Sequence, residues 1–132
     1  GLEGFVTYET GKGRQATQIK PEDRNFTQFA IDGLYRLQLG NQNFYAGARY
    51  NTVTLDQLFT SGATQTIAEV KINRTSFAAG WFLTKNVLLK GEYVMQDYSG
   101  YDAPGVPKTI FLGKSGSNAK FNGYVIEAVV GF

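Results

Sequence analysis

Charged side chains recur at alternate positions within segments that are otherwise rich in aromatic and small apolar residues. Basic side chains placed this way could attract anions, and rings of charge along a strand wall can select ions. Two glutamates facing each other could act as a general acid and a general base. The positions that share this polar side of the predicted strands are Asp32, Arg36, Arg49, Lys90, Glu92 and Glu127.

The composition removes most catalytic chemistry from consideration. The chain has no Cys and no His, so disulfides, thiolate nucleophiles, imidazole bases and the common zinc sites are excluded. Glu92 and Glu127 therefore have no nucleophile or imidazole to work with, and we expect no enzyme activity, cofactor or metal. The 13 basic and 11 acidic residues are scattered rather than clustered, which argues against nucleic-acid binding.

Six β-strands are predicted to position these charges. The alternation of apolar and polar residues and the abundance of Tyr, Phe, Thr and Val favour strands over helices. The predicted strands cover about residues 2–10, 26–39, 43–55, 66–83, 87–97 and 124–132. Tight turns are predicted at residues 40–42 and 84–86, and longer polar loops at residues 11–24, 56–65 and 99–119, the last with a short strand possible at residues 108–112.

The alternation changes phase inside the fourth predicted strand. Val70 and Ile72 have one parity, whereas Phe77, Ala79 and Trp81 have the other. A β-bulge would produce such a slip. A second explanation is that the upper half of the strand rises above a membrane, where parity no longer matters.

The last nine residues alternate without interruption and end on an aromatic side chain. Tyr124, Ile126, Ala128, Val130 and Phe132 share one face. One fully apolar strand face is typical of a membrane barrel, whose side chains point alternately to lipid and to the lumen. The sequence contains no run of about 18 apolar residues, so a transmembrane helix is excluded.

Aromatic residues on the same side as this apolar face are predicted to lie at two levels. Rings with an apolar body and a polar group favour the boundary between water and lipid. One level comprises Tyr8, Phe29, Tyr50, Phe77, Tyr93 and Tyr124, and the other comprises Phe44, Trp81 and Phe132. The alternative is that these rings form the core of a soluble β-sandwich or a lipocalin-like carrier.

Two segments resemble bacterial outer-membrane proteins. FNGYVIEAVVGF at residues 121–132 resembles the C-terminal insertion signal of outer-membrane β-barrels, and SFAAGWFLTKNVLLKGEYVMQDY at residues 76–98 resembles porin-type proteins. The resemblance implies an all-β, antiparallel up-and-down transmembrane β-barrel with a periplasmic C-terminus and extracellular long loops. It also implies contact with outer-membrane lipid, recognition by the barrel assembly machinery, and passive diffusion of small hydrophilic solutes or ions.

Six strands are too few for a complete barrel of this type. Single-chain barrels begin at eight strands, and an unclosed sheet in lipid would leave unpaired backbone groups at both edges. Residues 1–132 are therefore interpreted as one barrel segment, the C-terminal strands of a larger barrel. The remaining strands would lie on another or cleaved chain, or several copies would share one barrel.

Several functions remain open at this level. The first is a porin-like channel segment, and the alternatives are a non-conducting outer-membrane scaffold that docks other proteins, or a soluble carrier. Arg36, Arg49 and Lys90 are candidates for an anion-attracting patch. The alternative is that these charges pair across strands and only stabilise the wall.

Overall fold

The computed structural model describes residues 1–13, 23–106 and 118–131, and these form six antiparallel β-strands in one sheet. Each strand pairs with its neighbours in the sequence, in the order β1-β2-β3-β4-β5-β6. This confirms the all-β, up-and-down architecture. The strands are β1 (Leu2–Gly13), β2 (Arg24–Leu39), β3 (Gln42–Ser61), β4 (Thr64–Thr84), β5 (Val87–Ser99) and β6 (Ala119–Val130).

The register places side chains of like character on the same side of the sheet. Directly paired residues share a face, so the row Gly4, Gly33, Ala48, Phe77, Tyr93, Tyr124 lies on one side. The apolar face includes Val6, Tyr8, Phe29, Ile31, Tyr35, Leu37, Phe44, Tyr50, Phe77, Trp81, Leu89, Tyr93, Tyr124, Ile126, Ala128 and Val130. The charged face includes Glu3, Asp32, Arg36, Arg49, Arg74, Lys90, Glu92 and Glu127.

The sheet is open among the described residues, because β1 and β6 each pair with one neighbour only. The Arg36 amide donates to the Gly1 carbonyl at 2.7 Å, and the Gly131 amide donates to the Asn86 carbonyl at 2.8 Å. Antiparallel strands use alternate residues for each neighbour. The backbone groups that point to the free edges therefore belong to apolar-face residues: Leu2, Gly4, Val6 and Tyr8 on β1, and Tyr124, Ile126, Ala128 and Val130 on β6.

The β3–β4 hairpin is much longer than predicted. Residues 56–65, interpreted above as a polar loop, continue both strands to a two-residue turn in which Gly62 has a φ of 60°. The ladder runs unbroken from Asn43↔Phe82 to Ser61↔Thr64. The loop prediction was wrong because Phe59, Thr60 and Thr64 have high strand propensity and pair across the hairpin. The hairpin extends beyond the last pairs with β2 and β5, and we name this end of the sheet the projecting end.

No bulge interrupts the β3–β4 ladder where the apolar pattern changes phase. Val70 and Ile72 pair in register with Leu55 and Val53, and they lie on the charged face. The one register shift of β4 lies between Phe82 and Thr84, against β5. The bulge explanation is therefore wrong for this position.

The change of phase has a packing cause instead. At the projecting end a small hydrophobic cluster covers the charged side of the hairpin. Its buried members are Phe59, Val70, Tyr101 and Val106, and Leu55, Ala68, Tyr98 and Ala103 pack against them. Apolar residues change sides at this level because residues 101–106, which follow β5, fold onto that side.

Some predicted features lie outside the described residues. These are Phe132, the possible strand at residues 108–112, and most of the loop at residues 11–24. In the part of the chain that the structure describes, no helix has the length and apolarity needed to cross a membrane. The same residues contain no group of three or more acidic side chains that could hold a metal ion.

Candidate functional site: the charged face

A groove of about 540 Å³ occupies the middle of the charged face. Glu3, Asp32, Arg49 and Glu92 bring charge to its walls, and the buried Ser76 lies among them. Small residues along the central strands, Gly47 and Ala78 among them, leave the space open. Small side chains on β3 and β4 therefore make the groove, while Arg49 on β3 and the acidic residues on β1, β2 and β5 give it polarity.

Asp32 and Arg49 form the most complete ion pair on this face. They are directly opposite each other on β2 and β3. Arg49 Nε donates to Asp32 Oδ1, and Arg49 Nη2 donates to Asp32 Oδ2 at 3.1 Å. A two-point contact of this kind holds both planar groups in one orientation. The guanidinium therefore lies along the wall, with its charge matched by the carboxylate.

The other charged residues predicted for the site also have partners on adjacent strands. Lys90 Nζ lies 2.5 Å from Glu127 Oε2, and Arg36 Nε lies 3.2 Å from Glu3 Oε1. Arg36, Arg49 and Lys90 are thus each beside a carboxylate rather than grouped as free cations. The predicted charged residues thus pair across strands, as one of the two interpretations above expects, and this pairing is compatible with stabilisation of the sheet.

Glu92 faces a base that the sequence pattern did not single out. Arg74 Nη2 lies 3.7 Å from Glu92 Oε1, across the β4–β5 ladder. Glu92 and Glu127 therefore each face a cation and not each other. Arg74 was missed because the phase change in β4 obscured its side of the sheet, although it has the same parity as Val70 and Ile72.

Tyr45 lies against the sheet wall at the edge of the charged face. A Cβ atom at Gly80 would overlap the Tyr45 ring, so the ring lies across the glycine on the neighbouring strand. Its edge also meets the Phe82 ring, with centroids 6.3 Å apart. A large aromatic side chain is thereby held flat instead of standing in the groove. The pattern of alternation alone does not indicate this contact.

The apolar face carries the predicted aromatic residues in an ordered arrangement. Phe44 and Trp81 stack with centroids 5.8 Å apart, and Trp81 Nε1 donates to Gln42 Oε1 at 2.7 Å. Toward the projecting end, Tyr8 pairs with Phe29, Tyr50 lies one rung lower opposite Ile31, and Phe77, Tyr93 and Tyr124 share the next rung on that face. These aromatic residues therefore follow an oblique line across the strands, as residues at one height do in a sheet whose strands are tilted.

The apolar face is not covered by any other part of the described chain. Leu2 is 79% exposed, Tyr124 78%, Ile126 71% and Val6 60%. The charged face also exposes some apolar side chains on the edge strands, including Phe5, Phe121 and Val125. The two faces thus differ most clearly at the central strands and in the placement of charge.

No protein-family model, curated protein or solved structure matches this chain. Its function is therefore inferred from the two faces of the sheet and from its free edges.

Proposed function

We propose that this chain forms part of the wall of a transmembrane β-barrel in the bacterial outer membrane, through which small hydrophilic solutes or ions diffuse. One observation carries the proposal: between the two aromatic levels the register collects the alternating apolar residues of all six strands on one uncovered face and the charges on the other. The charges on the apolar-face side, among them Lys71, Asp97 and Lys120, lie farther toward the projecting end. Hydrocarbon suits the first face and water suits the second.

The exposed apolar side chains favour lipid over water as the solvent of this face. A soluble protein rarely leaves a contiguous apolar patch of more than a few hundred Å² exposed. On β2 the side chains that point to the apolar face are uncharged from Phe29 to Leu37. They span eight residue steps, or roughly 27 Å along the strand at about 3.4 Å per residue. Tilted by about 40°, that length approaches the apolar band of about 25 Å in outer-membrane barrels.

The free edges indicate how the sheet would close. Both edges offer backbone groups of apolar-face residues, and β1 and β6 run antiparallel to each other. The β6 edge could therefore pair with a β1 edge directly, or through an even number of further strands, and keep the apolar face continuous. Those strands would carry the same alternation, with apolar side chains toward lipid and polar side chains toward the interior.

The groove and its ion pairs support a hydrated interior. Charges facing lipid at mid-depth would cost about 2–4 kcal/mol for each Arg or Lys. That cost is avoided on the opposite face by Asp32, Arg49, Lys90 and Glu127. Small side chains on the central strands leave open space beside them. A polar, open wall of this kind favours passage over a dry, packed interior.

Conductance in a planar bilayer tests the proposal. The detergent-extracted complex containing this chain should migrate on gels with a position that changes on heating, and should give discrete conductance steps after reconstitution. A heat-modifiable but silent complex would point to the scaffold function. A chain that stays monomeric and soluble without detergent would contradict a membrane role altogether.

The Asp32–Arg49 pair provides a prediction about ion selectivity. Arg49→Gln leaves the Asp32 carboxylate unmatched, so the reversal potential should shift toward cation preference, and Asp32→Asn should shift it toward anions. The double variant should return close to the wild-type value. Arg49→Gln should lower stability more than Asp32→Asn, because it leaves unpaired the less exposed member of the pair, with the Asp32 side chain 24% exposed against 59% for Arg49.

Lys71→Gln is the matched control for this prediction. Lys71 is exposed and lies on the opposite side from Val70, outside the proposed lumen. Removing its charge should leave the reversal potential unchanged. Equal shifts from Lys71→Gln and Arg49→Gln would place the pair outside the ion path.

A further inference from the structure

We propose that residues 98–106, the cap segment, set the upper size limit of the solutes that reach the groove. This inference rests on the proposed passage of solutes. The cap segment comprises the last two residues of β5 and the residues that follow them, and it folds onto the charged face of the β3–β4 hairpin at the projecting end. It is a packed element rather than a loop extending from the sheet.

Aromatic contacts anchor the cap segment to the hairpin. The Tyr101 ring meets the Phe59 ring edge-on, with centroids 6.1 Å apart and planes at 83°. Tyr98 meets Tyr101 in a similar way at 6.2 Å and 72°. Val70 is completely buried beneath them, and Val106 is buried beside them. These contacts form the hydrophobic cluster of the described chain.

Two glycines give the cap segment its course. Gly100 and Gly105 have φ angles of 88° and 86°, a conformation that side chains with a Cβ rarely adopt. A Cβ on Gly100 would overlap the Glu69 carbonyl oxygen and lie 3.0 Å from Val70 Cα. The chain therefore leaves β5 by passing directly against the β4 backbone, where only glycine fits.

The location of the cluster gives the cap segment its proposed role. The buried rung Leu55↔Val70 lies on the same side of the sheet as the groove, and toward the projecting end from the rung Arg49↔Ser76 that lines it. The cluster begins where the pairs with β2 and β5 end, so the cap segment lies at the mouth of the proposed barrel, on its lumen side. A solute that enters from the projecting end must pass the cap segment before it meets the Asp32–Arg49 pair.

Burial of Tyr101 supplies a readout of cap packing that is independent of conductance. Burial raises the pKa of the Tyr101 phenol above its ordinary value of 10.0, because the phenolate is poorly solvated there, and Tyr98 adds to the effect. The packed phenol should therefore titrate later than an exposed tyrosine. The packed Tyr101 phenol stabilises the folded state fully below its ordinary pKa of 10.0, and this contribution is lost as the pH rises through the raised pKa of the folded state.

The test compares the double variant Tyr101→Ala, Val106→Ala with wild type and with Tyr35→Ala. Tyr35 is an exposed tyrosine on the apolar face that belongs to neither aromatic level, so its removal takes away the same ring without touching the cap segment. The measurement is the size of polyethylene glycol that enters the conducting complex and lowers its conductance. In the double variant larger polymers should enter and conductance in plain salt should rise, while Tyr35→Ala should resemble wild type.

A second variant detaches the cap segment by a different route. Gly100→Val should force the chain off β4 and return the Tyr101 pKa toward 10.0, measured by ultraviolet titration against Tyr101→Phe. The cap inference is contradicted if wild type conducts and Gly100→Val returns the Tyr101 titration to normal without changing the polymer size limit. If wild type itself does not conduct, the proposed passage fails instead.

Discussion

Replacing Ala79 with arginine should prevent stable insertion, whereas replacing its neighbour Ala78 with arginine should leave insertion largely intact. The two alanines are adjacent on β4, a central strand, and point to opposite faces. Ala79 shares the rung of Ala46 and Gly91 in the middle of the apolar face. Ala78 lies in the groove directly opposite Glu92.

The expected difference follows from the solvent of each face. An arginine at mid-depth in hydrocarbon costs about 2–4 kcal/mol, which is a factor of about 30 to 1,000 in the folding equilibrium. An arginine at position 78 stays in water and gains a carboxylate nearby. Denaturant titration in lipid vesicles gives the free energy of unfolding of both variants, and heat-modifiable migration reports assembly.

Because both variants add the same side chain to the same residue type, general effects of size and strand propensity cancel. If the apolar face were exposed to water, both substitutions would fall within about 0.5 kcal/mol of wild type, as surface changes usually do. Equal tolerance of Ala79→Arg and Ala78→Arg would therefore overturn the lipid-facing assignment. If neither variant inserted, the region would accept arginine on neither face, and the comparison would give no support to the lipid-facing assignment.

Ala128→Pro should disrupt the complex even though the described chain shows no strand beside β6. The Ala128 amide belongs to the set that points to the free edge, as the contact between Gly131 and Asn86 shows. Proline removes that amide hydrogen and is tolerated on an edge strand only where the N–H faces solvent. In a closed barrel the same change leaves a partner carbonyl unpaired in hydrocarbon, at a cost of several kcal/mol.

Val129→Pro is the reference for a broken ladder. The Val129 amide points to Leu88 on β5, so proline there breaks a described strand pair whether or not the sheet is closed. We expect both variants to lose the heat-modifiable form and to release this chain from the complex. Normal assembly of Ala128→Pro beside failure of Val129→Pro would mean that the β6 edge is open, and the barrel proposal would fall.

Alternation along the chain was enough to assign most of the sheet. Tyr50 and Arg49, or Ile126 and Glu127, go to opposite faces because neighbouring strand residues always do. The register joins those assignments across all six strands without changing one of them. Local pattern predicts faces well because the period of two depends only on backbone geometry.

The sequence was less informative where packing decides the outcome. Leu55 and Val70 appear out of phase until the cap segment is seen to cover them on the charged face. The polar composition of residues 56–65 suggested a loop, yet cross-strand pairing extends both strands through them. In the first case the deciding partner is distant in the sequence, as with Tyr101 on Phe59, whereas residues 56–65 pair with their neighbours around the Gly62 turn.

The amino-acid sequence by itself determined the six strands in outline, the two faces and the choice of small, charged and aromatic residues for each face. These properties depend on the type of each residue and its parity along a strand. Only the tertiary structure decided that Arg49 meets Asp32, that Arg74 meets Glu92, and that the segment after β5 packs against β3 and β4. Those contacts depend on strand register and on long-range packing, because the free energy of each arises from two residues that the chain brings together only on folding.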